Sequence, residues 1–594
     1  MRKKAQDEST LLRWTERIPT TDVQDPLGLA LRGSARLASR LLFCITSITP
    51  RARYFSFLTW CFHDHHNRER GKSWALPLDD AIVLREHALT LGCVVHHSGE
   101  PCSGGALVGS RAAQRWLEKK RSTVDLRKLN FAQNPALDAY LRSLLNLGFF
   151  VTEEQLPESD VEVVSDSDAE SVEISFDDIE LSELGLRVAQ AYDRAVARIP
   201  ATAQIATSRR TSTVGDLAQF GERGGLCELR EKRAPDRGLL ADIFFARSGL
   251  IEQSHHVRRM SLLLLLELCK QCGAKGVSLE EDVFADATYF GHVFPDEDSA
   301  PFEIRLPAVL EDINTRWKLF YFHHYMGVAL EGIFSWLVQQ LHQFGLAGAS
   351  IEKLTHRLSE KTLARDLKTL IGFTPTGVFA SSRPVDVFTS VGVSAGPLTQ
   401  ALGTRIEKAI DIESPLAERQ LENLIRSREY NDRAAGLALP LLLLATTLSR
   451  FKKYDETNYG LWLASAAEDP YLDLIPPTVA MGLERRFGNW WEASWSEIAA
   501  FVISRFVVRQ HITMSYEKSA LGERCLLQDD GDKVRVSGEF EKVGMGNVRF
   551  RSARQILEDV AMIEGDSGDV HQLTPEGAAM LKSCLAEEAR REVS

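Results

Sequence analysis

The sequence has 594 residues, of which 44% are hydrophobic and 26% are charged. This length exceeds what one hydrophobic core can serve and suggests roughly three to five domains. The composition is typical of globular proteins and argues against disordered or membrane-embedded classes, since no run reaches the roughly 18 apolar residues of a membrane span. Nine cysteines scattered along the chain argue against a disulfide framework. The start does not resemble a secretory signal, so we expect a cytoplasmic protein.

The net charge of −12 is concentrated in one segment. Residues 153–180 hold twelve Asp or Glu side chains and no Lys or Arg, so the rest of the chain has a formal charge of zero. A uniformly acidic chain would disfavour nucleic acid as a partner, whereas a chain with a balanced body does not.

The N-terminal region predicts two helices within residues 26–66. Leucines recur at helical spacing in the first, and Pro50 separates it from the second. Arg51 and Arg53 fall in the first turn of the second helix, where the helix dipole disfavours cations. They therefore have either an external partner or an internal acid, and we favour internal pairing.

Two parts of the chain share one order of elements. Residues 135–151 predict a helix that ends at Gly148 and leads into a strand, and strand and helix follow the acidic segment in residues 179–199. The C-terminal residues repeat this order with a much shorter turn. The copies match at Leu144, Leu147, Gly148, Phe149 and Phe150 against Leu557, Val560, Ala561, Met562 and Ile563, and at 181–185 against 573–577.

This order predicts two winged-helix-like modules, in which Ser182 and Thr574 are suited to cap the final helices. Between them, residues 239–272, 306–344, 400–450 and 470–512 predict core helices, without the strand–helix alternation of a parallel α/β fold. The predicted fold is mainly α, a large multi-helix domain flanked by two winged-helix-like modules with small β-hairpins. The predicted boundaries are 1–125 for an N-terminal helical region, 126–200 for the first module with its acidic insert, 201–510 for the helical core and 511–594 for the second module.

The segment from Gly392 to Gly396 matches the G-x-S-x-G nucleophile elbow, which would make Ser394 a nucleophile. A β-like run that includes Val385 and Val387 precedes it. That motif places its serine at the top of an α/β sheet, and no such sheet is predicted here, so a loop of small residues is the preferred interpretation.

A histidine cluster spans His63 to His66, and His96, His97, Cys93 and Cys102 are further ligand types for zinc. Neither H-E-x-x-H nor a paired C-x-x-C frame appears, so we predict no metal site. The cluster stays an alternative basis for a nuclease.

The C-x-x-C of Cys269 and Cys272 closes a leucine-rich helix instead of opening one, which favours two structural thiols. No P-loop, dinucleotide turn, kinase set or paired H-x-K motif occurs, so no cofactor is predicted.

Basic residues near the second module are the better functional lead. Arg549, Arg551 and Arg554 begin its first helix, and Lys542 lies upstream. In a DNA-bound winged helix, cations at these places contact phosphates while the helix enters the major groove. We therefore predict these four as nucleic-acid-binding residues, with a protein contact as the alternative.

Several stretches resemble uncharacterised bacterial proteins encoded in antiphage defence islands. They are RARYFSFLTW, LLADIFF, RRMSLLLLLEL, RWKLFYFHHYMGVALEGIFSWL and the ending SARQILEDVAMIE with LTPEG. The resemblance spans most of the chain but rests on packing residues, so it carries over no functional residue. It implies an accessory subunit that works beside a helicase or nuclease, with a Druantia-type system as one setting.

Three functions follow as hypotheses. The first is a non-enzymatic component of a multi-protein antiphage system, acting as scaffold or nucleic-acid-recognition subunit, with other subunits and DNA as partners and no membrane. The second is a hydrolase or nuclease that uses Ser394 or the cluster from His63 to His66. The third is a winged-helix transcriptional regulator.

Overall fold

A computed structural model describes most of the chain. The described residues are 25–69, 72, 75–100, 105–131, 135–152, 179–205, 211–247, 252–295, 299–359, 361–394, 401–427, 433–454, 474–518, 525–540, 543, 548–565 and 570–593. They form two compact units. Unit 1 comprises the described residues within 1–32 and 325–545, and unit 2 comprises those within 33–165, 169–324 and 546–594.

Helices make up most of the described chain. They are α1 (Ser34–Leu41), α2 (Ala52–Arg68), α3 (Leu78–His96), α4 (Ser110–Leu117), α5 (Ala136–Asn146), α6 (Glu183–Val196), α7 (Pro200–Ile205), α8 (Val214–Gly224), α9 (Arg237–Phe244), α10 (Gln253–Gly273), α11 (Glu281–Tyr289), α12 (Glu311–His342), α13 (Ile351–Thr355), α14 (Thr362–Ile371), α15 (Pro384–Ser390), α16 (Ala401–Ala409), α17 (Glu418–Ser427), α18 (Ala435–Phe451), α19 (Pro476–Phe487), α20 (Trp495–Val502), α21 (Arg509–Glu517), α22 (Phe550–Asp559) and α23 (Pro575–Val593). Two π-helical turns, Leu29–Gly33 and Ile503–Val508, precede α1 and α21.

The strands are short and pair only in antiparallel twos within the described residues. They are β1 (Thr123–Asp125) with β4 (Thr211–Thr213), β2 (Phe150–Thr152) with β3 (Ile179–Leu181), β5 (His292–Val293) with β6 (Phe302–Glu303), β7 (Leu527–Asp529) with β8 (Val534–Val536), and β9 (Ile563–Glu564) with β10 (Gln572–Leu573). The predicted mainly-α class is confirmed. None of the helices in the described ranges is both long enough and apolar enough to span a membrane.

Helix α2 is the central element of unit 2. Every residue from 52 to 62 is buried, and the helix packs against α3, α5, α6 and α22. Burial on all sides accounts for the apolar and aromatic residues that occupy more than one face of this stretch. Gly92 of α3 and Gly221 of α8 let the backbones of these two helices approach closely. A Cβ at Gly221 would lie 2.1 Å from the carbonyl oxygen of Gly92.

Buried ion pairs hold the start of α2. Arg51 Nε lies 2.9 Å from Asp559 Oδ2, and the same oxygen accepts the backbone N–H of Ala52 at 3.0 Å. Arg53 Nε lies 3.2 Å from Asp236 Oδ2. All four charged side chains are 0% exposed. The predicted internal pairing of Arg51 and Arg53 is confirmed.

The internal repeat is present as two helix–hairpin–helix units in unit 2, α5–β2–β3–α6 and α22–β9–β10–α23. Gly148 and Ala561 occupy the same place after the first helix, and both have a left-handed backbone, with φ of 70° and 58°. Ser182 Oγ accepts the N–H of Gly185 at 2.9 Å, and Thr574 Oγ1 accepts that of Gly577 at 2.9 Å. The repeat and its caps are thus confirmed, while the assignment to the winged-helix class stays a prediction.

Gly185 and Gly577 are required by the close approach of each final helix to its hairpin. A Cβ at Gly577 would lie 1.9 Å from the carbonyl oxygen of Met562, and one at Gly185 would lie 2.0 Å from that of Phe149. We expect Gly577→Ala to lower the free energy of unfolding by about 1–3 kcal/mol, because backbone must shift. Urea unfolding followed by circular dichroism measures this change.

Gly238, near the start of α9, is the matched control, since nothing lies within 4 Å of a Cβ built there. Gly238→Ala should leave stability unchanged or raise it slightly through helix propensity. Equal effects of the two substitutions would contradict the close-approach argument.

Unit 1 is built around apolar helices. All residues of α18 are buried, and Gly332 of α12 lets Pro440 of α18 approach, with a Cβ at Gly332 placed 3.0 Å from Pro440 Cγ. The β7–β8 hairpin adds one isolated bridge, between Val534 and Ala349. Phe334 of α12 packs on His511 of α21, with ring centroids 4.7 Å apart.

The division into units does not follow the predicted boundaries at 125, 200 and 510. It separates the predicted core region 201–510 between His324 and Tyr325, inside α12. The reason is that a continuous helical pattern carries no signal for where the packing partners change. Unit 2 also takes in segments far apart in sequence, which contiguous predicted domains cannot represent.

Candidate nucleic-acid interface

The arginine-bearing helix predicted to bind nucleic acid is α22, and most of it is buried. Seven of its ten residues are inaccessible. Arg549, directly before it, is 5% exposed and donates to the carbonyl oxygens of Ile45 at 3.0 Å and Ala35 at 3.3 Å. The guanidinium of Arg549 completes backbone hydrogen bonds inside unit 2, and this placement speaks against its predicted contact with a phosphate.

The other predicted binding residues are placed differently. Arg551 is exposed, with Nε 3.3 Å from Glu281 Oε2. Arg554 Nη1 lies 2.6 Å from Glu280 Oε2, and Arg554 Nε lies 3.4 Å from Glu558 Oε1. Lys542 lies outside the described residues. Most of this helix is buried, and its accessible arginines already contact carboxylates. Such a helix is poorly placed to enter a major groove.

A different surface of unit 2 concentrates positive charge. It comprises α4, the turn after it, β1 and the 3-10 turn Leu126–Lys128. Seven cationic side chains occur here against two acidic ones, Glu118 and Asp125. All seven are exposed, and we name them the 111–128 basic surface: Arg111, Arg115, Lys119, Lys120, Arg121, Arg127 and Lys128.

Local structure fixes the backbone beneath this surface. Helix α4 follows Gly109, whose φ is 75°, and buries Ala113 and Trp116 on its inner face. Gln114 Nε2 donates to the carbonyl oxygen of Gly99 at 2.9 Å, which holds α4 to the end of α3. The basic residues at 111 and 115 share the outer face because residues four apart are neighbours on a helix.

A sheet pairing anchors the C-terminal part of the surface. In β1 and β4, Thr123 pairs with Thr213 and Asp125 with Thr211, and the N–H of Val214 donates to Ser122 O at 3.0 Å. Residues 209 and 210, directly before β4 in the sequence, are both arginine but lie outside the described residues.

The cations of the surface are mostly not neutralised within unit 2. Lys128 Nζ lies 3.9 Å from Asp125 Oδ2, and in the described part of the chain the other six meet no carboxylate within 4.0 Å. Arg115 Nε donates to the backbone oxygen of Arg111 at 3.4 Å. This contrasts with Arg51 and Arg53, whose charge is used inside the fold. A run of exposed cations that mostly lack counter-charges favours the approach of a polyanion.

The sequence carried a signal for this surface. Residues 111–128 contain seven Lys or Arg with only two acids, which is a dense basic cluster in a chain of net charge −12. The predicted repeat favoured the C-terminal arginines instead.

The histidine cluster does not assemble a metal centre. His65 Nε2 lies 2.9 Å from Leu76 O, and the amide of Asn67 contacts the His63 ring at 3.0 Å. Asp64 is committed to Arg85, with Nη2 2.8 Å from Oδ2. No group of three or more His, Cys, Asp or Glu side chains placed to hold a metal ion occurs in the described ranges. Cys102 lies outside them.

Ser394 is not on a nucleophile elbow. The preceding run that suggested a strand is helix α15, and Ser394 is exposed beyond it. Pro384 at the first helical position and Asp386, which accepts the N–H of Arg383 at 3.0 Å, start a helix there. The elbow requires a strand before the serine. The predicted β-like run is therefore wrong, since these residues are helical. Gly396 lies outside the described residues.

The C-x-x-C thiols are placed as structural residues at the end of α10. Burial raises the pKa of Cys269 and of Cys272 to about 12, which disfavours thiolate chemistry at both.

Comparison with known proteins gives no match: no family model matches the sequence, and neither a curated protein nor a solved structure matches it significantly.

Proposed function

We propose that this chain is a non-enzymatic nucleic-acid-recognition subunit that binds the phosphate backbone of duplex DNA through the 111–128 basic surface. The observation that carries the proposal is the set of six exposed cations with no carboxylate within 4.0 Å in the described part of unit 2. The setting we propose is a multi-protein antiphage system, which the sequence resemblance implies.

The physical basis of binding is counterion release. A protein that neutralises Z phosphates of duplex DNA releases condensed cations, and the logarithm of its affinity falls with the logarithm of salt concentration at a slope of about −0.9Z. Six neutralised phosphates would give a slope of about −5. Since contacts to phosphates carry no sequence information directly, we expect binding through them to depend little on sequence.

The test is binding of a fluorescent 20-base-pair duplex to the full chain, followed by anisotropy over a salt series. Replacing Arg115, Lys119 and Arg121 together by glutamine should reduce the magnitude of the slope by about three, one for each phosphate that the variant no longer neutralises. The matched control replaces Lys361, Arg365 and Lys368, three exposed cations on and beside α14 in unit 1, and should leave the slope unchanged.

A third variant tests the C-terminal arginines. Arg551→Gln with Arg554→Gln should change the slope by less than the triple variant does, because both guanidinium groups already meet carboxylates. If that pair abolishes binding while the triple variant at 111–128 does not, the interface lies at α22 and the proposal is wrong.

The assembly half of the proposal has its own measurement. Purification of the tagged chain from cells that express the whole gene neighbourhood should retain a helicase or nuclease as a second subunit. If the chain purifies alone, and cells carrying the neighbourhood resist phage equally well without it, the subunit role is overturned while DNA binding stands or falls on its salt slope.

A further inference from the structure

A cysteine and a histidine meet at the end of α3 in unit 2. His97, the residue after α3, faces the 3-10 turn Leu226–Arg230 that follows α8. Its Nε2 lies 2.9 Å from the Sγ of Cys227. The residues adjacent to this pair are also in contact, with His96 Nε2 3.2 Å from Glu228 Oε1.

Each of the two histidines contacts a different side chain of the turn. Glu228 is shared by His96 and by Arg233, whose Nη2 lies 3.0 Å from the second carboxylate oxygen. His97 is thus a base in contact with the thiol, and its ring packs edge-on to His96 with centroids 4.8 Å apart. A nucleophile and a base within hydrogen-bond reach are the arrangement that activates a cysteine.

Five of the other described cysteines provide the contrast. Burial raises the pKa of Cys61, Cys269, Cys272 and Cys584, which keeps those thiols protonated. Cys525 is exposed, but its thiol donates to the carbonyl oxygen of Leu527 at 3.0 Å and not to a base. Cys227 is 9% exposed and lies beside the partly exposed imidazole of His97, so the pair lies near solvent.

We infer that Cys227 is a covalent modification site for hydroperoxides, with His97 as the acceptor of its thiol proton. The thiol proton moves to His97 Nε2, and the thiolate attacks one oxygen of the peroxide. The S–O bond forms as the O–O bond breaks, and the leaving oxygen takes the proton from His97. The sulfur loses two electrons to the peroxide and becomes a sulfenic acid.

The experiment treats the full chain with hydrogen peroxide, traps sulfenic acid with dimedone, and follows each cysteine peptide by mass spectrometry. Cys227 should be labelled at least about tenfold faster than Cys525, in keeping with the contribution of a positioned base. His97→Gln should remove that advantage while leaving the rate at Cys525 unchanged. His96→Gln is the matched control, because His96 contacts Glu228 and not the thiol.

The comparison of labelling rates among the cysteines of the wild-type protein needs no variant, so it holds even if one variant folds poorly. If Cys227 is labelled no faster than Cys269, the thiol is inert and the inference is overturned. A rate at Cys227 that is the same with and without His97, in a variant with native circular dichroism, would overturn the role of the histidine.

Discussion

We expect Asp236→Ala to lower the free energy of unfolding by about 3–5 kcal/mol, the cost of leaving a buried charge without its partner. Arg53 and Asp236 are both 0% exposed, and Arg53 donates from Nε and Nη2 to the two carboxylate oxygens at 3.2 Å each. Ser56 Oγ adds a hydrogen bond to Asp236 at 2.6 Å. Removing the carboxylate therefore takes two acceptors from the guanidinium and one from the hydroxyl, and it leaves the buried charge of Arg53 without a counter-charge.

The location of this pair makes the effect large. Arg53 also donates to Gly225 O at 2.7 Å and stacks over the ring of Tyr192 at 5.3 Å, so it cannot turn toward solvent without breaking these interactions. Urea unfolding followed by circular dichroism measures the free energy. Hydrogen exchange of the peptide covering α2 locates the loss, with protection reduced about a hundredfold or more for 3 kcal/mol.

The control replaces both charges, with Arg53→Met and Asp236→Leu in one chain. Apolar replacement of a whole buried ion pair is often neutral or stabilising, so this variant should recover most of the loss. A single substitution that costs less than about 1 kcal/mol, the value of an exposed pair, would show that water reaches the site.

The sequence was sufficient to predict the elements whose signal is local. Gly148 and the residues that start α6 and α23 define caps and left-handed turns, and these depend on neighbours within a few positions. The repeat is visible in the sequence for that reason. The pairing of Arg51 and Arg53 was predicted in kind, but their partners, Asp559 and Asp236, lie far away in sequence and could not be named.

The features that failed depend on which face of an element packs. Arg549 and Arg115 both precede or lie on short amphipathic helices, and their local sequences do not differ in a way that reveals burial. The structure places Arg549 inside and Arg115 outside. In the same way, the β-branched residues of α15 favoured a strand, and Pro384 with Asp386 decided for a helix. Tertiary contacts decide which of these side chains are buried, whereas composition is sufficient to predict the fold class.

Acidification should destabilise the chain through His511, which unit 1 holds in its neutral form. Its Nδ1 contacts Pro26 O at 3.0 Å, and its Nε2 accepts the N–H of Leu526 at 2.9 Å, so a proton on Nε2 would face a donor. Burial lowers the pKa of His511 to about 4, with the hydrogen bond to Pro26 opposing this shift and the nearby Lys518 adding to it.

Because the folded pKa lies below the unfolded value, the unfolded chain binds more protons between about pH 6.5 and pH 4. Stability is therefore full above pH 6.5 and is lost as pH falls toward 4, by on the order of 2 kcal/mol at pH 5 for this one group. Urea unfolding at pH 7.5 and pH 5 measures the change. The wild type should lose about 2 kcal/mol more over this interval than His511→Gln, since all other titrating groups, including His255, His323 and Glu86, are common to both chains. An equal loss in the two chains would mean that His511 accepts a proton in the folded state as readily as in the unfolded one, and the hydrogen bond from Leu526 would then not hold the neutral ring.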